Sequence, residues 1–313
     1  MAAGRSLFGL SPQAKARLLE KVAATSPLRG VARSGHGGAQ TGADPVGRLS
    51  VAELEGFREI RMIREAAEFL GIADPFFRVH QGIAGAETVI DGKNYVNFAS
   101  YNYIGLNGHP EITAAAKAAI DRYGTSVSAS RPVSGERPVH RELEQALARL
   151  HGAGDSVVFV GGHSTNVTVI GHLLGRNDVI VHDALIHNSI VQGAILSGAR
   201  RVPFAHLDHA AADRLLGELR PRNGHTLLVI EGHYSMDGDV PDLPAFIAIA
   251  QRHRAWLMVD EAHALGVLGP RGFGTADRFG VDPGEVDIWM GRSARASCRA
   301  AVTLPAARTS WIS

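Results

Sequence analysis

Charged side chains directly follow an apolar segment in the last third of the chain: Asp260, Glu261 and His263 come after Trp256–Val259. A carboxylate at the end of a buried strand is costly unless a cation neutralises it. A protonated ring nitrogen would neutralise it, and the buried aspartate would in turn keep that nitrogen protonated. The pattern therefore predicts that Asp260 contacts a cationic heterocycle within reach of His263. The simpler alternative is an aspartate that only caps the next segment.

A glycine pair follows a second apolar segment, Val157–Val160, where a helix is predicted to begin. Around Gly161, Gly162 and His163 the backbone N–H groups could approach an anion, and a helix N-terminus favours negative charge. A phosphate site is one interpretation, and an ordinary tight turn is the other. The spacing matches neither a Walker A motif nor the G-x-G-x-x-G of dinucleotide sites.

Two more apolar segments are followed by polar groups. His187 comes after Val179–Val181 and could stack on a flat ring or transfer a proton; in a chain with 15 histidines, a capping or surface role is the alternative. Ser235 comes after Leu227–Ile230, in a loop whose Asp-Gly pair demands a turn. Because the acids of this loop lack a second ligand cluster, we predict no metal site.

These polar groups all follow short apolar runs that alternate with helical patterns. The predicted helices are Pro138–Leu150, Ser164–Leu174, Asn188–Ser197, Ala210–Leu219 and Leu243–His253. Buried strands that alternate with amphipathic helices indicate an α/β fold with a mostly parallel sheet flanked by helices. In such sheets the ligand lies beyond the carboxyl ends of the strands, which is where the polar groups occur.

The N-terminal part has a different pattern. We expect a short helix over Ser11–Ala24, a linker over Thr25–Gly47 and a helix over Leu49–Leu70 that Ser50 caps. A hairpin follows, with strands Glu87–Ile90 and Tyr95–Phe98 around an Asp-Gly-Lys turn. The predicted parts of the chain are a helix and linker (1–48), an arm with the hairpin (49–109), a ligand-binding large domain (110–291) and an aberrant tail (292–313).

Composition excludes several classes of protein. Apolar residues make up 45% and charged residues 20% of the 313 residues, which is typical of a soluble globular protein. A net charge of +1 gives no reason to expect a nucleic acid or an anionic membrane as a partner. With Cys298 as the single cysteine, no disulfide framework can form, which suits the cytoplasm. No secretory signal and no membrane-spanning stretch is recognisable.

Taken together, the motifs resemble those of the fold-type I enzymes that use pyridoxal 5'-phosphate (PLP). More narrowly they resemble the α-oxoamine synthases, which include 8-amino-7-oxononanoate synthase, 5-aminolevulinate synthase, 2-amino-3-ketobutyrate ligase and serine palmitoyltransferase. The match runs from about Phe76 to Gly291. Its motifs are Asn97–Leu106, Ser130-Arg131 with Gly135, His140, Leu143-Glu144, Gly161–Asn166, His187–Ser189, Glu231–Asp239 and Val259–His263 with Gly266.

The resemblance implies a role for each candidate residue. Asp260 would pair with the pyridine nitrogen and make the ring an electron sink, His187 would stack on the ring, and Ser235 and His263 would lie near its phenolic oxygen. Backbone groups of Gly161, Gly162 and His163 would receive the phosphate, and Asn102 would lie near the carboxylate of the amino-acid substrate. His187, Asp260 and His263 are thus the expected catalytic residues.

The reaction implied is a decarboxylating condensation of an amino acid with an acyl thioester, giving an α-amino ketone. The donor would be an acyl-CoA or an acyl carrier protein, and the family works as a homodimer. The spelling Tyr101-Asn102-Tyr103 and the pair Ser130-Arg131 resemble the serine palmitoyltransferase branch and synthases that use carrier-protein donors.

One element of the family is absent from the sequence. After Gly291 the family continues with a motif of the type Thr-Leu-Ser-Lys-Ser, whose lysine binds PLP covalently and moves the α-proton. No lysine occurs in Arg292–Pro305; the four lysines are Lys15, Lys21, Lys93 and Lys117. We therefore expect a truncated chain without synthase activity, lacking the last strands and the C-terminal small domain. Residues 292–313 show no strand or helix pattern, so the remaining strand edges are expected to be open and prone to association.

Two other functions remain open at this point. Lysine-less partner subunits exist in the serine palmitoyltransferase group, but such a subunit would not need Asp260, His263, His187 and Ser235. An ordinary PLP aminotransferase shares the fold, but the motifs Ser-Met-Asp-Gly-Asp and Asp-Glu-Ala-His argue against aminotransferase function.

A shift of the reading frame by one base accounts for the tail. If each codon takes the last base of one residue and the first two of the next, synonymous codons from Arg292 onward can read Leu-Ser-Lys-Ser-Leu-Val-Pro-Gly-Gly-Gly-Tyr-Ile-Ala-Gly. The lysine codon then straddles Ala294 and Arg295. Since each shifted codon offers few residues, we predict a frameshift, natural or from sequencing, near Gly291. The base sequence of codons 288–306 tests this, and a shifted frame that does not give Leu-Ser-Lys contradicts it.

Overall fold

A computed structural model describes residues 50–72, 76–219, 224–291 and, for the backbone, 300–304. The predictions for Ser11–Ala24 and Thr25–Gly47 lie outside these ranges. The chain divides into two compact units, residues 1–79 and 80–313. Among the described residues, no helix is long and apolar enough to cross a membrane.

The described part of the first unit is a 3-10 turn, Val51–Glu53, followed by helix α1, Glu55–Phe69. Ser50 begins the turn as predicted: its Oγ accepts from the Ala52 N–H at 3.3 Å, and its own N–H donates to Glu53 Oε2 at 2.9 Å. The single helix predicted over Leu49–Leu70 is interrupted at Leu54, whose ψ of 137° is extended rather than helical.

The second unit opens with a hairpin of strands β1, Glu87–Ile90, and β2, Lys93–Val96. Asp91 and Gly92 have φ of 51° and 75°. Two consecutive left-handed residues give the mirror-image turn that suits the twist of a tight hairpin. The hairpin is confirmed, but β2 begins two residues earlier than predicted, because the turn contains two residues instead of three and Asn94 also belongs to the strand.

A seven-stranded sheet forms the body of the second unit. Its strands are β3 (Asp155–Phe159), β4 (Val179–Asp183), β5 (Arg200–Phe204), β6 (Thr226–Glu231), β7 (Trp256–Asp260), β8 (Ile288–Gly291) and β9 (Ala300–Leu304). Their order is β3-β9-β8-β7-β6-β4-β5, and every pairing is parallel except the two made by β9. The predicted mostly parallel sheet is thus confirmed. The chain crosses in opposite directions on leaving β4 and β6, which makes their carboxyl ends the usual place for a ligand.

Seven α-helices occur in the described part of the second unit, and several of them pack on the two faces of the sheet. They are α2 (Pro110–Tyr123), α3 (Pro138–Leu150), α4 (Gly162–Leu173), α5 (Asn188–Ser197), α6 (His209–Glu218), α7 (Leu243–His253) and α8 (Thr275–Phe279). Side chains of β6 alternate between the two cores: Leu228 and Ile230 pack with α6 and α7, while Leu227 and Val229 pack with α4 and α5. This alternation explains why β6 is apolar throughout.

The tail contains a strand that sequence reasoning excluded. Residues 300–304 pair antiparallel with β3 on one side and with β8 on the other. The expectation that residues 292–313 lack a strand, and that the neighbouring strand edges are open, is therefore wrong at these five positions. A short apolar segment can satisfy the backbone groups of both neighbours, whatever motif it replaces. The other residues of the tail lie outside the described ranges.

The free edge of the sheet at β3 is covered by a side chain. Glu144 of α3 is buried, and its Oε1 accepts from the Val158 N–H at 3.0 Å and from Arg131 Nη1 at 2.6 Å. The Ser156 hydroxyl donates to the Glu144 carbonyl at 2.7 Å. An unpaired strand edge invites pairing with another chain, so Glu144 both anchors α3 and protects the edge.

We predict that Glu144→Ala lowers the free energy of unfolding by about 2 kcal/mol, because the Val158 N–H loses its acceptor inside the protein. The change should also increase self-association. Urea unfolding and size-exclusion chromatography measure the two effects. Glu142→Ala, an exposed position of the same helix, is the matched control, and equal results for the two variants contradict the role of Glu144.

Candidate functional site

Two acids lie side by side at the carboxyl edge of the sheet. Glu231 ends β6 and Asp260 ends β7, and the two residues are paired in register. Both are about 5% exposed or less. Within the part of the chain that the structure describes, neither forms a salt bridge with a lysine or arginine. The edge therefore brings together two carboxyl groups with no lysine or arginine among the described residues to stabilise their charged forms.

Asp260 is held by two neutral donors. Its Oδ2 accepts from Asn166 Nδ2 and its Oδ1 from the Ala262 N–H, both at 2.9 Å. Burial raises the pKa of Asp260, and these hydrogen bonds oppose the rise only in part. A cation beside the carboxylate would stabilise its charged form. The environment thus fits the cationic ring nitrogen predicted from the sequence.

The start of α4 lies close to Asp260, since Asn166 belongs to its second turn. Gly161 is the N-cap and has no side chain to cap the helix, and the hydroxyls of Ser164 and Thr165 donate back to the Gly161 carbonyl at 2.7 and 2.9 Å. The first N–H groups of the helix have no intrahelical partner. Such a terminus suits an anion, as expected for Gly161, Gly162 and His163.

His187 and Ser235 both approach Glu231. His187 is the N-cap of α5, where its Nδ1 accepts from the Ser189 N–H at 3.2 Å. Backbone groups of His187 and Ser235 lie close enough to the Glu231 carboxyl group to oppose the rise of its pKa. The loops after β4 and β6 therefore converge on the acid next to Asp260, and the exposed side chains of His187 and Ser235 remain accessible to a ligand.

His263 joins the edge to the segment 97–106. Its Nδ1 lies 3.0 Å from Tyr103 Oη, and the Tyr101 ring meets it edge-on at 6.2 Å between centroids. Asn102 has a different environment: its Nδ2 donates to the Ala84 carbonyl and its Oδ1 accepts from the Asn107 N–H, both at 3.1 Å. Its amide stabilises a loop, and no described contact connects it with Asp260 or His187.

Sequence reasoning gave no role to several residues that build the site. Asn166 and Ser189 were noted only as parts of motifs, and Glu231 only as the beginning of a loop. Glu261 is fully buried, accepts from the Thr275 N–H at 3.1 Å and lies so close to Gly232 and Gly274 that neither position has room for a side chain. Burial raises the pKa of Glu261 to about 7. The sequence feature that could have identified these acids is their position at or next to strand ends, because a parallel sheet brings the ends of its strands together.

Comparisons of sequence and structure show which known proteins this chain resembles. The pattern of the family "Aminotransferase class I and II" matches residues 93–291. An 8-amino-7-oxononanoate synthase from Geobacter sulfurreducens is 42% identical over 238 residues, which are 76% of this chain and 59% of that protein. A putative 8-amino-7-oxononanoate synthase from Gloeobacter violaceus is 40% identical over 239 residues, 76% of this chain and 58% of that protein. The chain thus spans about three fifths of the length of these curated relatives.

Solved structures give the same result. Sphingomonas wittichii serine palmitoyltransferase superimposes with a TM-score of 0.76 at 32% identity, over 82% of this chain and 64% of the other. A serine palmitoyltransferase from S. paucimobilis with a bound PLP–myriocin aldimine gives a TM-score of 0.76 at 32% identity, over 82% of this chain and 66% of the other. The resemblance stated from the motifs is confirmed by these comparisons, and so is the expected large-domain fold.

Glu231 makes the stability of the unliganded protein depend on pH. Burial, and then the nearby Asp260, raise the pKa of Glu231 to about 8. A raised carboxyl pKa stabilises the folded protein fully below the unfolded pKa, and this contribution is lost as pH rises through the folded value. We predict that wild type loses stability relative to Glu231→Gln between pH 5 and about 8, by a few kcal/mol.

Chemical denaturation across that pH range measures the difference. Asp237→Asn, at an exposed position of the loop after β6, serves as the control and should follow wild type. Parallel curves for wild type and Glu231→Gln would show that the Glu231 carboxyl group titrates normally.

Proposed function

Because the chain belongs to the aminotransferase class I and II family, we propose that it carries the PLP site of an α-oxoamine synthase. The parent reaction condenses an amino acid with an acyl thioester, releases carbon dioxide and gives an α-amino ketone. One observation supports this most strongly: the buried carboxylate of Asp260 lacks a lysine or arginine partner among the described residues and is hydrogen-bonded to Asn166 near the N-terminus of α4. The carboxyl edge of the sheet therefore offers a position for a cation and, close by, a position for a phosphate.

When bound, PLP supplies an electron-withdrawing ring that stabilises negative charge on the α-carbon of an amino acid. In our proposal Asp260 holds a proton on the ring nitrogen, and the first N–H groups of α4 bind the phosphate. His187 covers one face of the ring and orients it. Ser235 and His263 lie near the phenolic oxygen, where each can donate a hydrogen bond.

The named relatives support the acyl-transfer class over an ordinary aminotransferase. One is an 8-amino-7-oxononanoate synthase by name and the other a putative one, and the similar structures are serine palmitoyltransferases. We propose an acyl-CoA or an acyl carrier protein as the thioester donor, with Asn102 near the amino-acid substrate, and a cytoplasmic location.

A homodimer is also part of the proposal. Large apolar side chains near the carboxyl edge are exposed, among them Phe98 (94%), Val160 (83%) and Met236 (90%). Large apolar side chains that remain exposed indicate a surface that another protein covers, and a second copy of the chain is the partner that the family implies.

The missing lysine divides this proposal into two parts. Residues 292–305 contain no lysine, so we propose that the chain as written binds PLP without a covalent bond and does not turn over substrate. The same observation favours a second candidate function, a lysine-less partner subunit of an active synthase. In both cases the non-covalent site is the property that this chain retains.

We predict that the protein binds PLP reversibly and that Asp260→Asn weakens binding by about 10- to 100-fold, because the charge that pairs with the ring nitrogen is lost. Equilibrium dialysis and the absorbance of bound PLP give the two dissociation constants. Glu218→Gln, an exposed change on α6, is the control. Equal affinity for wild type and Asp260→Asn would rule out the proposed pairing.

A second measurement separates the reaction classes. In protein expressed from a gene whose frame is restored from codon 292, we expect consumption of an acyl thioester with release of carbon dioxide when an amino acid is supplied. Amino-group exchange with a 2-oxo acid, without carbon dioxide, would indicate an aminotransferase. Activity of the present chain only after mixing with a lysine-containing synthase would indicate a partner subunit.

A further inference from the structure

A continuous series of hydrogen bonds connects His187 with Asp260. His187 Nδ1 lies 2.6 Å from Ser189 Oγ, Ser189 Oγ lies 3.0 Å from Asn166 Nδ2, and Asn166 Nδ2 lies 2.9 Å from Asp260 Oδ2. Ser189 and Asn166 are fully buried. The series joins the N-terminal parts of α4 and α5 to the last residue of β7.

The direction of each bond follows from the Asp260 end. A carboxylate accepts, so the Asn166 amide directs its NH2 group toward Asp260, and the second N–H donates to Ser189 Oγ. The remaining proton of Ser189 Oγ can then be donated to His187 Nδ1. Since the Ser189 backbone N–H also donates to Nδ1 at 3.2 Å, two donors converge on that nitrogen. A neutral His187 must therefore carry its proton on Nε2.

Asn166 is bound only through its donor end. Its Oδ1 is buried without a hydrogen-bond partner among the described residues, whereas both N–H bonds of Nδ2 are used. A buried acceptor without a partner is unfavourable. Keeping an asparagine here at that cost indicates that the two donated hydrogen bonds are what the position requires.

We propose that Asn166 is a positioning residue of the site: it orients the Asp260 carboxylate and, through Ser189, fixes His187 in the tautomer protonated on Nε2. The Nε2–H is then the group that His187 can present to a ligand. The relevance of this arrangement to PLP rests on the proposed function, but the tautomer itself is a property of the unliganded protein.

The test uses Asn166→Asp, which preserves the shape of the side chain and removes both donors. The carboxylate introduced there would accept from the Ser189 hydroxyl, so Ser189 Oγ would face His187 Nδ1 as an acceptor. Because that contact (2.6 Å) is shorter than the one from the Ser189 backbone N–H (3.2 Å), the proton of His187 would move to Nδ1 in a large part of the molecules. The double variant Asn166→Asp/Ser189→Ala lacks the hydroxyl that transmits the change. In it, and in Ser189→Ala alone, the backbone N–H of position 189 still donates to Nδ1, so Nε2 should remain protonated.

Long-range 1H–15N spectra of protein labelled on histidine distinguish the two tautomers, and His187→Gln identifies the signals of His187. We expect Nε2–H in wild type, Ser189→Ala and the double variant, and at least half Nδ1–H in Asn166→Asp. A wild-type His187 protonated on Nδ1, or the same tautomer in all four proteins, overturns the proposal. If Asn166→Asp does not fold, the wild-type protein decides: Nε2–H on His187 supports the proposal, and Nδ1–H overturns it.

Titration with PLP gives the second readout. We expect Asn166→Asp to weaken PLP binding by about 10-fold or more, since a second charge faces Asp260, and Ser189→Ala to change it by less than about 3-fold. If wild type does not bind PLP but shows the expected tautomers, the proposed function fails and the role of Asn166 stands. If PLP binds but Asn166→Asp leaves both affinity and tautomer unchanged, the role of Asn166 fails alone.

Discussion

The site depends on one interaction, the hydrogen bond between the Asn166 amide and the carboxylate of Asp260. This carboxylate is buried at the end of β7. It fixes the start of α4 next to the centre of the sheet. The same Asn166 amide also donates to Ser189 in the first turn of α5, so the start of α5 is fixed as well. Two helix N-termini thus meet one strand end, and the partial positive charge of each terminus favours the negative groups gathered there. A neutral residue at position 260 would remove the acceptor that this arrangement shares.

The parallel sheet explains why so many acids occur at one edge. Asp183, Glu231 and Asp260 end adjacent or nearby strands that run in the same direction, so their side chains gather at one end of the sheet. Each acid has a different environment. Asp183 contacts His206, whose second nitrogen lies 3.2 Å from Asp239; although burial lowers the pKa of His206, the hydrogen bonds with these two acids outweigh it and raise the value. The hydrogen bonds that the structure describes for Asp260 come from neutral donors, which leaves it as the acid suited to a cationic ligand.

The sequence predicted the elements that depend on neighbouring residues better than the features that depend on contacts between distant parts of the chain. Local patterns predicted the helices Pro138–Leu150, Asn188–Ser197 and Leu243–His253 with their observed bounds. Strand β5 was missed because it begins with Arg200 and Arg201 and borders solvent, and β9 because only its two neighbours create a place for it. The residues that build the site by reaching across elements, Asn166 and Ser189, have no local signature, since what they bind is separated from them along the chain.

The positions of the site residues along the chain determine what the proposed change of sequence after Gly291 would affect. The side-chain hydrogen bonds that the structure describes for Asp260 come from Asn166 and Ala262, and its backbone is paired with Glu231 in β6 and Met290 in β8. The lysine that the family resemblance implies, by contrast, would lie beyond Gly291, at Ala294 and Arg295 in the shifted frame. Non-covalent binding and covalent chemistry thus depend on different segments of the chain. Strand β9 pairs with β3 and β8 although its sequence differs from the family motif, because pairing of this kind needs backbone groups rather than particular side chains. In our proposal, a change of sequence after Gly291 would therefore remove an amine needed for turnover and leave the sheet that carries Asp260 intact.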